Sequence, residues 1–226
     1  MSAAQSSRII VLHLTKYGES SLVVHAIDSV GGRCSYMLRG AGRSKRVSTG
    51  SFHNLAVLDV VSWSGPRSSM AYLKEYEPCM QLSSLRSDMV KSSIALFISE
   101  LLYRTVVEQN YDPALFGWLC DAVEKLDAAE PGAVANFHLW FLAGFCSVMG
   151  FGPSRNGDFD GASLLRKDNL QLLLELVSRD FAHAMAIPLT GRRRNEFCEQ
   201  MIRYISYHLG MDLNIRSLDV LHTLYA

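Results

Sequence analysis

Residues 9–40 read IIVLHLTKYGESSLVVHAIDSVGGRCSYMLRG, and the first half of the fold turns on this stretch. Ile9-Ile10-Val11-Leu12-His13-Leu14 is short and opens on β-branched residues; Leu22-Val23-Val24-His25-Ala26-Ile27 follows after a polar break. Gly31-Gly32 supplies permissive backbone for a turn, and Cys34-Ser35-Tyr36-Met37-Leu38 then alternates and stops at Gly40. Short β-branched and aromatic runs punctuated by glycine predict strands joined by tight turns. Working outward, Leu55 to Trp63 is a fourth such run, ending at Gly65-Pro66, and Met70 to Tyr76 is a fifth, with Pro78 as a breaker. Five short strands within the first 80 residues fit a small closed or nearly closed barrel, with the OB-fold leading and an SH3-like barrel left open by the pattern.

After Pro78 the period changes. Ile94, Phe97, Ile98, Leu101, Thr105 and Val106 recur at the three- and four-residue spacing of a helix. Asp112-Pro113 opens a second helix, since the Asp side chain accepts from free N–H groups and Pro fits the first helical position. Leu115, Phe116, Leu119, Val123 and Leu126 continue its apolar face. Further helices are expected over about 132–149, 168–185 and from near Thr190 to Gly210, with a short one holding Leu218, Leu221 and Leu224. The predicted class is α+β: a five-stranded OB-fold barrel over 1–80 and an all-helical domain over 81–226, with the boundary near 78–88.

The chain has 226 residues, 49% hydrophobic and 19% charged, which excludes intrinsic disorder. The formal net charge is zero, yet the charges are unevenly placed. Residues 1–80 hold nine Lys/Arg against five Asp/Glu, while residues 81–226 hold thirteen against seventeen. A basic front half joined to an acidic rear half is a functional clue that the total conceals. Five cysteines (34, 79, 120, 146 and 198) form no CxxC pair, so reduced thiols are expected rather than disulfides or zinc. No secretory segment is legible, and the apolar run from Phe137 to Phe151 is too short to cross a bilayer. A soluble, cytoplasmic protein is expected.

The segment from Arg33 to Arg46 carries Arg33, Arg39, Arg43, Lys45 and Arg46, and no acidic residue lies between Asp28 and Asp59. Cations there, with Lys16, suit phosphate neutralisation, while Tyr17, Tyr36, Phe52 and Tyr72 offer rings for unpaired bases. The plainer reading is a solvated basic loop beside core aromatics. On a five-stranded barrel the balance moves toward nucleic acid. Gly40 to Lys45 lacks the GxxxxGK[ST] spacing of a phosphate-cradling loop. The seven histidines have no metal spacing, and neither a nucleophile elbow nor a catalytic cysteine signature is present, so no catalytic residue, cofactor or metal is expected.

Arg192-Arg193-Arg194 is unusual. With Thr190 as cap, three cations occupy the first turn of a helix, where the macrodipole disfavours them. They suit an anionic partner such as a carboxylate terminus, or they pair with Glu196 and Glu199.

Read in order, several segments resemble the bacterial recombination-mediator family RecO. They are Lys16-Tyr17-Gly18-Glu19-Ser20 with Leu22-Val23-Val24, then Gly31, Leu38-Arg39-Gly40-Ala41, and Leu73-Lys74-Glu75-Tyr76-Glu77. Ser99-Glu100-Leu101-Leu102, Pro113-Ala114-Leu115-Phe116, Phe141-Leu142 to Gly150-Phe151-Gly152-Pro153, and Ser217-Leu218-Asp219-Val220-Leu221 complete the pattern. The resemblance implies a non-enzymatic DNA-repair factor with an N-terminal OB-fold and a helical domain. It implies binding of single- and double-stranded DNA, strand annealing, and work with RecR to load RecA on DNA coated by single-strand-binding protein. It also implies docking of that protein's acidic tail on the helical domain, here assigned to Arg192, Arg193 and Arg194. DNA binding is assigned to Lys16, Arg33, Arg39, Arg43, Lys45 and Arg46. Many members carry a four-cysteine zinc module after the motif matching Gly150–Pro153; Ser154 to Gly161 holds no cysteine, so zinc is not carried over. The competing expectation is an RNA-binding OB module on a helical scaffold.

Overall fold

The computed structural model describes residues 4–40, 49–65, 70–108, 110–153 and 161–224. Five strands form one closed barrel: β1 (Ala4–Tyr17), β2 (Ser21–Asp28), β3 (Gly32–Arg39), β4 (Val57–Trp63) and β5 (Ala71–Pro78). The order around it is β1-β2-β3-β5-β4; β4 closes on β1, and a short parallel pairing joins β3 to β5. That is the OB-fold arrangement expected from the strand pattern, and it removes every free sheet edge but those the short β3–β5 pairing leaves. β1 is longer than its apolar core suggests, because its polar start, Ala4 to Arg8, pairs with β4.

Alternation fills the barrel. Ile9, Val11, Val24, Ala26, Tyr36, Leu38, Phe52, Ala56, Leu58, Val60 and Leu73 form one buried cluster inside it. Tyr36 and Phe52, offered by the sequence as stacking surfaces, therefore belong to the core: Tyr36 donates its hydroxyl to buried Asp28, and the Phe52 ring sits 4.6 Å from that of Tyr76. Tyr36 faces inward with Leu38, and a ring filling a small barrel is unavailable to a base.

A second apolar set faces outward. Ile27 pairs with Ile10 and Ile10 with Val57, a row across three strands that is buried although it lies outside the interior cluster. The chain divides into two compact units, and the first explains the row: residues 1–87 are joined by residues 98–127. This unit includes the helix α1 (Ser83–Ser87), the second half of α2 (Met89–Thr105) and α3 (Pro113–Ala128). Buried Leu101, Leu102, Leu115 and Leu119 give it the apolar surface that an outward row requires. Asp112 caps α3 as expected, accepting from the N–H groups of Ala114 and Leu115 at 2.9 and 3.1 Å. The main-chain N–H of Leu85 donates to Asp127 at 2.6 Å, tying α1 to the end of α3.

The second unit comprises residues 88–97 and 128–226. It holds the start of α2 with α4 (Phe137–Val148), α5 (Lys167–Ser178), α6 (Phe181–Ala186), α7 (Gly191–Leu209) and α8 (Leu218–Leu224). α4 is buried almost all round, which fits a run of apolar residues with no polar face. The single helix expected over 168–185 is two. The chain leaves helical geometry at Arg179, and the Asp180 side chain accepts from the N–H of His183 at 2.8 Å to start α6 afresh. α7 matches its expected ends: Thr190 caps it, and Gly210 stops it at φ +62°, where a side chain would be strained.

Candidate nucleic-acid interface

The outer surface of the barrel is built by cross-strand rows. Thr15 pairs with Val23, Val23 with Met37, Met37 with Tyr72 and Tyr72 with Trp63, so one outward row crosses β1, β2, β3, β5 and β4. The neighbouring row, Tyr17–Ser21–Arg39, ends the sheet on the same side. Directly opposite residues share a face, and here that face combines rings with cations. Arg39 lies 4.1 Å above the centre of the Tyr72 ring and donates to the Tyr72 hydroxyl at 2.8 Å. Trp63 is 6.3 Å from Tyr72, and the Lys74 ammonium lies 5.8 Å from the Trp63 ring. Tyr17 is 62% exposed at the other end.

Lys74 reaches this face because β5 is irregular. Val61 faces Glu75 but Ser62 faces Leu73, which leaves Lys74 as the extra residue of a bulge. A bulge re-aims side chains and increases local twist, so Lys74 and Glu75 are both exposed while Leu73 and Tyr76 still turn inward. Sequence reasoning missed Lys74 and Trp63 as site residues. Strict alternation hides a bulged lysine; the only signal was the dipeptide Lys74-Glu75, two charges where alternation allows one to face water.

The predicted cations separate. Lys16 is exposed, one residue before Tyr17; it pairs with Leu22, which pairs with Leu38, so it flanks the Arg39 end of the barrel. Arg39 is exposed and central to the strip. Arg43, Lys45 and Arg46 lie outside the described residues. Arg33 differs: its side chain is only 20% exposed, its Nε donates to the Val106 carbonyl at 2.8 Å, and its Nη2 lies 3.3 Å from Glu108. Its guanidinium also sits 4.8 Å over the Tyr103 ring. As found, Arg33 is a bound cation and not a free one.

Beside it, His13 and His25 stack at 4.2 Å, with the Tyr103 ring nearly perpendicular to both. Thr15 and Ser35 hydrogen-bond the two His25 ring nitrogens at 3.0 and 2.9 Å. Burial, then His13 and Arg33, push the His25 pKa down to about 4, so the ring is neutral near pH 7. Further along the same outward face of β4 and β5 lies a group of carboxylates. Arg8 pairs across to Asp59, forming a two-point ion pair at 2.8 and 3.2 Å, and Asp59 pairs across to Glu77. Exposed Glu75 and Glu77 make that end of the face repel phosphates, with Glu75 in the row next to Trp63.

In the second unit the three arginines at the start of α7 point to three different partners. Arg192 is 89% exposed and pairs with Glu196 at 2.9 Å. Arg193 donates to Asn169 and lies 3.4 Å from Asp168. Arg194 donates at 2.8 Å to buried Asn136, whose amide donates in turn to the carbonyls of Ala184, Met185 and Ile187. They do not form one basic patch. Among the described residues no cluster of His, Cys, Asp and Glu could hold a metal, and no helix is long and apolar enough to cross a membrane.

A closed barrel of this strand order, carrying a ring-and-cation face and followed by helices, defines an α+β protein with an OB-fold. Residues 1–82 match the family model "Recombination protein O N terminal", and residues 86–163 match "Recombination protein O C terminal". The chain is 30% identical over 239 residues to the DNA repair protein RecO of Bacteroides fragilis, covering 96% of this chain and 97% of that protein. It is 27% identical over 236 residues to the DNA repair protein RecO of Christiangramia forsetii, covering 97% and 98%. For the same protein of Porphyromonas gingivalis the identity is 27% over 245 residues, again covering 97% and 98%. The chain belongs to the recombination protein O family.

Proposed function

We propose that this chain is a DNA repair and recombination mediator that holds DNA on the ring-and-cation face of its barrel and anneals complementary strands without catalysis. The observation that carries the reading is the row Met37–Tyr72–Trp63 with Arg39 and Lys74 over its rings. Rings accept any unpaired base, and cations neutralise phosphates whatever the sequence. Annealing needs two strands brought together with their repulsion screened and their bases left free to pair. Lys16 lies at the same end of the barrel, in the row of Leu22 and Leu38; it and Arg43, Lys45 and Arg46, which follow Arg39 within seven residues, are assigned to the same phosphate-binding role.

Family membership supports the wider role: a cytoplasmic protein that binds single- and double-stranded DNA and works with RecR to load RecA onto DNA coated by single-strand-binding protein. The acidic tail of that coating protein is assigned to the helical half, at Arg192. Arg193 and Arg194 are withdrawn from direct contact because buried amides already hold them.

Strand annealing, with bare and coated DNA across a salt series, tests the whole reading. Wild-type protein should accelerate annealing, and a Trp63→Ala, Tyr72→Ala variant should lose most of the effect while melting normally. Acceleration unchanged in that variant would remove DNA from this face. Binding of a tail peptide, measured for Arg192→Glu, tests the second contact; wild-type affinity there sends the tail elsewhere. Equal affinity for RNA and DNA of one sequence would favour a general single-strand binder.

A further inference from the structure

The outward face of β1–β3 does not end at the Thr15–Val23–Met37 row. It runs on through His13–His25–Ser35 to Arg33, six residues and about 20 Å from Arg39 along β3. This far half repeats the chemistry of the near half, with a cation, Arg33, over a ring, Tyr103, beside two stacked imidazoles. What separates the two halves is a cover. The ring beneath Arg33, the carbonyl on its Nε and the carboxylate on its Nη2 all come from Tyr103, Val106 and Glu108, at and just after the end of α2. Glu108 also bridges to Gly32 and Arg33 through its main chain.

We infer that Glu108 stands in for a nucleic-acid phosphate on Arg33, so that a strand lying on the Arg39–Trp63 face displaces its carboxylate and continues along the barrel to Arg33. The inference rests on the assignment of that face to DNA. The Glu108 side chain is 62% exposed and its Nη2–Oε1 separation is 3.3 Å, the geometry of an ion pair that salt and a competing anion weaken readily. A backbone phosphodiester offers Arg33 the same single charge, also on two free oxygens. The device favours long strands over short ones, because only a strand already anchored at Arg39 presents its phosphates at high local concentration to Arg33.

The test uses the full chain with dye-labelled single-stranded DNA of ~6 and ~20 nucleotides, lengths within and beyond one end of an OB face. Glu108→Gln should bind the long strand several-fold more tightly and steepen its salt dependence by about 0.7, one more phosphate engaged. Affinity for the short strand should not change. Arg33→Gln should cancel the gain in the double variant. A gain equal for both lengths, a gain that survives in Arg33→Gln, Glu108→Gln, or no gain at all would each overturn the inference. If Trp63→Ala, Tyr72→Ala leaves binding of both lengths intact, it is the assignment of the face that fails.

Discussion

Arg193 and Arg194 occupy the first turn of α7, where the helix dipole repels cations. The structure shows why they persist: each guanidinium leaves the turn sideways to a buried amide, Asn169 or Asn136. Asn136 is fully buried, and through Arg194 and three carbonyls it joins α7 to α6 and the residue after it. Asn136→Ala should therefore cost about 3 kcal/mol, the penalty of leaving buried donors and acceptors unpaired. Arg192→Ala should stay within about 0.5 kcal/mol, as an exposed i,i+4 pair does; urea midpoints read both. His138 makes a separate point. Burial, then Arg194 and His222, push its pKa down to about 3 from the usual 6.5. The unfolded chain takes up this proton as pH drops through 6.5 while the folded chain does not, so stability is full above 6.5 and falls toward pH 3. The urea midpoint should drop between pH ~7.5 and ~5, and His138→Phe should shrink that drop.

At the scale of elements, the β5 bulge is what gives the strip its second cation. Lys74→Glu should weaken single-stranded DNA binding and reduce its salt slope without lowering the melting temperature, because the side chain is exposed and carries no packing role. Trp63→Ala and Tyr72→Ala should each lose about 1–3 kcal/mol of binding if one base stacks on each ring. Fluorescence titration at fixed salt checks these figures. Thr190 receives the N–H of Arg193 at 3.2 Å, and Thr190→Ala should cost about 1 kcal/mol of stability. The break between α5 and α6 escaped the periodicity, since apolar spacing continues across Arg179-Asp180 while the Asp180 side chain starts a new helix.

For the whole molecule, the change of period at Pro78 marks a change of secondary structure, but compactness follows another line. Residues 98–127 belong with the barrel because Ile10, Ile27 and Val57 face outward and still require burial. A fragment of residues 1–82 should consequently bind a hydrophobic dye and melt well below the full chain. Charge reversal at Arg43, Lys45 and Arg46 should weaken DNA binding and flatten its salt dependence; unchanged slope would take these cations out of the interface.

Local chemistry was enough for much of this. Strand and helix identities, the caps at Asp112 and Thr190, the stop at Gly210 and the five-stranded barrel follow from side-chain period, capping residues and glycine, all of which act within a few residues. Lys16 and Arg39 stand exposed at strand ends, where the pattern leaves a charge facing water. The fates of Arg33, Tyr36, Phe52, Arg193 and Arg194 were not legible, because a cation or ring is free or bound according to what distant segments bring beside it. Glu108 is 75 residues from Arg33 in sequence and 3.3 Å from it in space, and a side chain's partners at that separation exist only once the chain has folded.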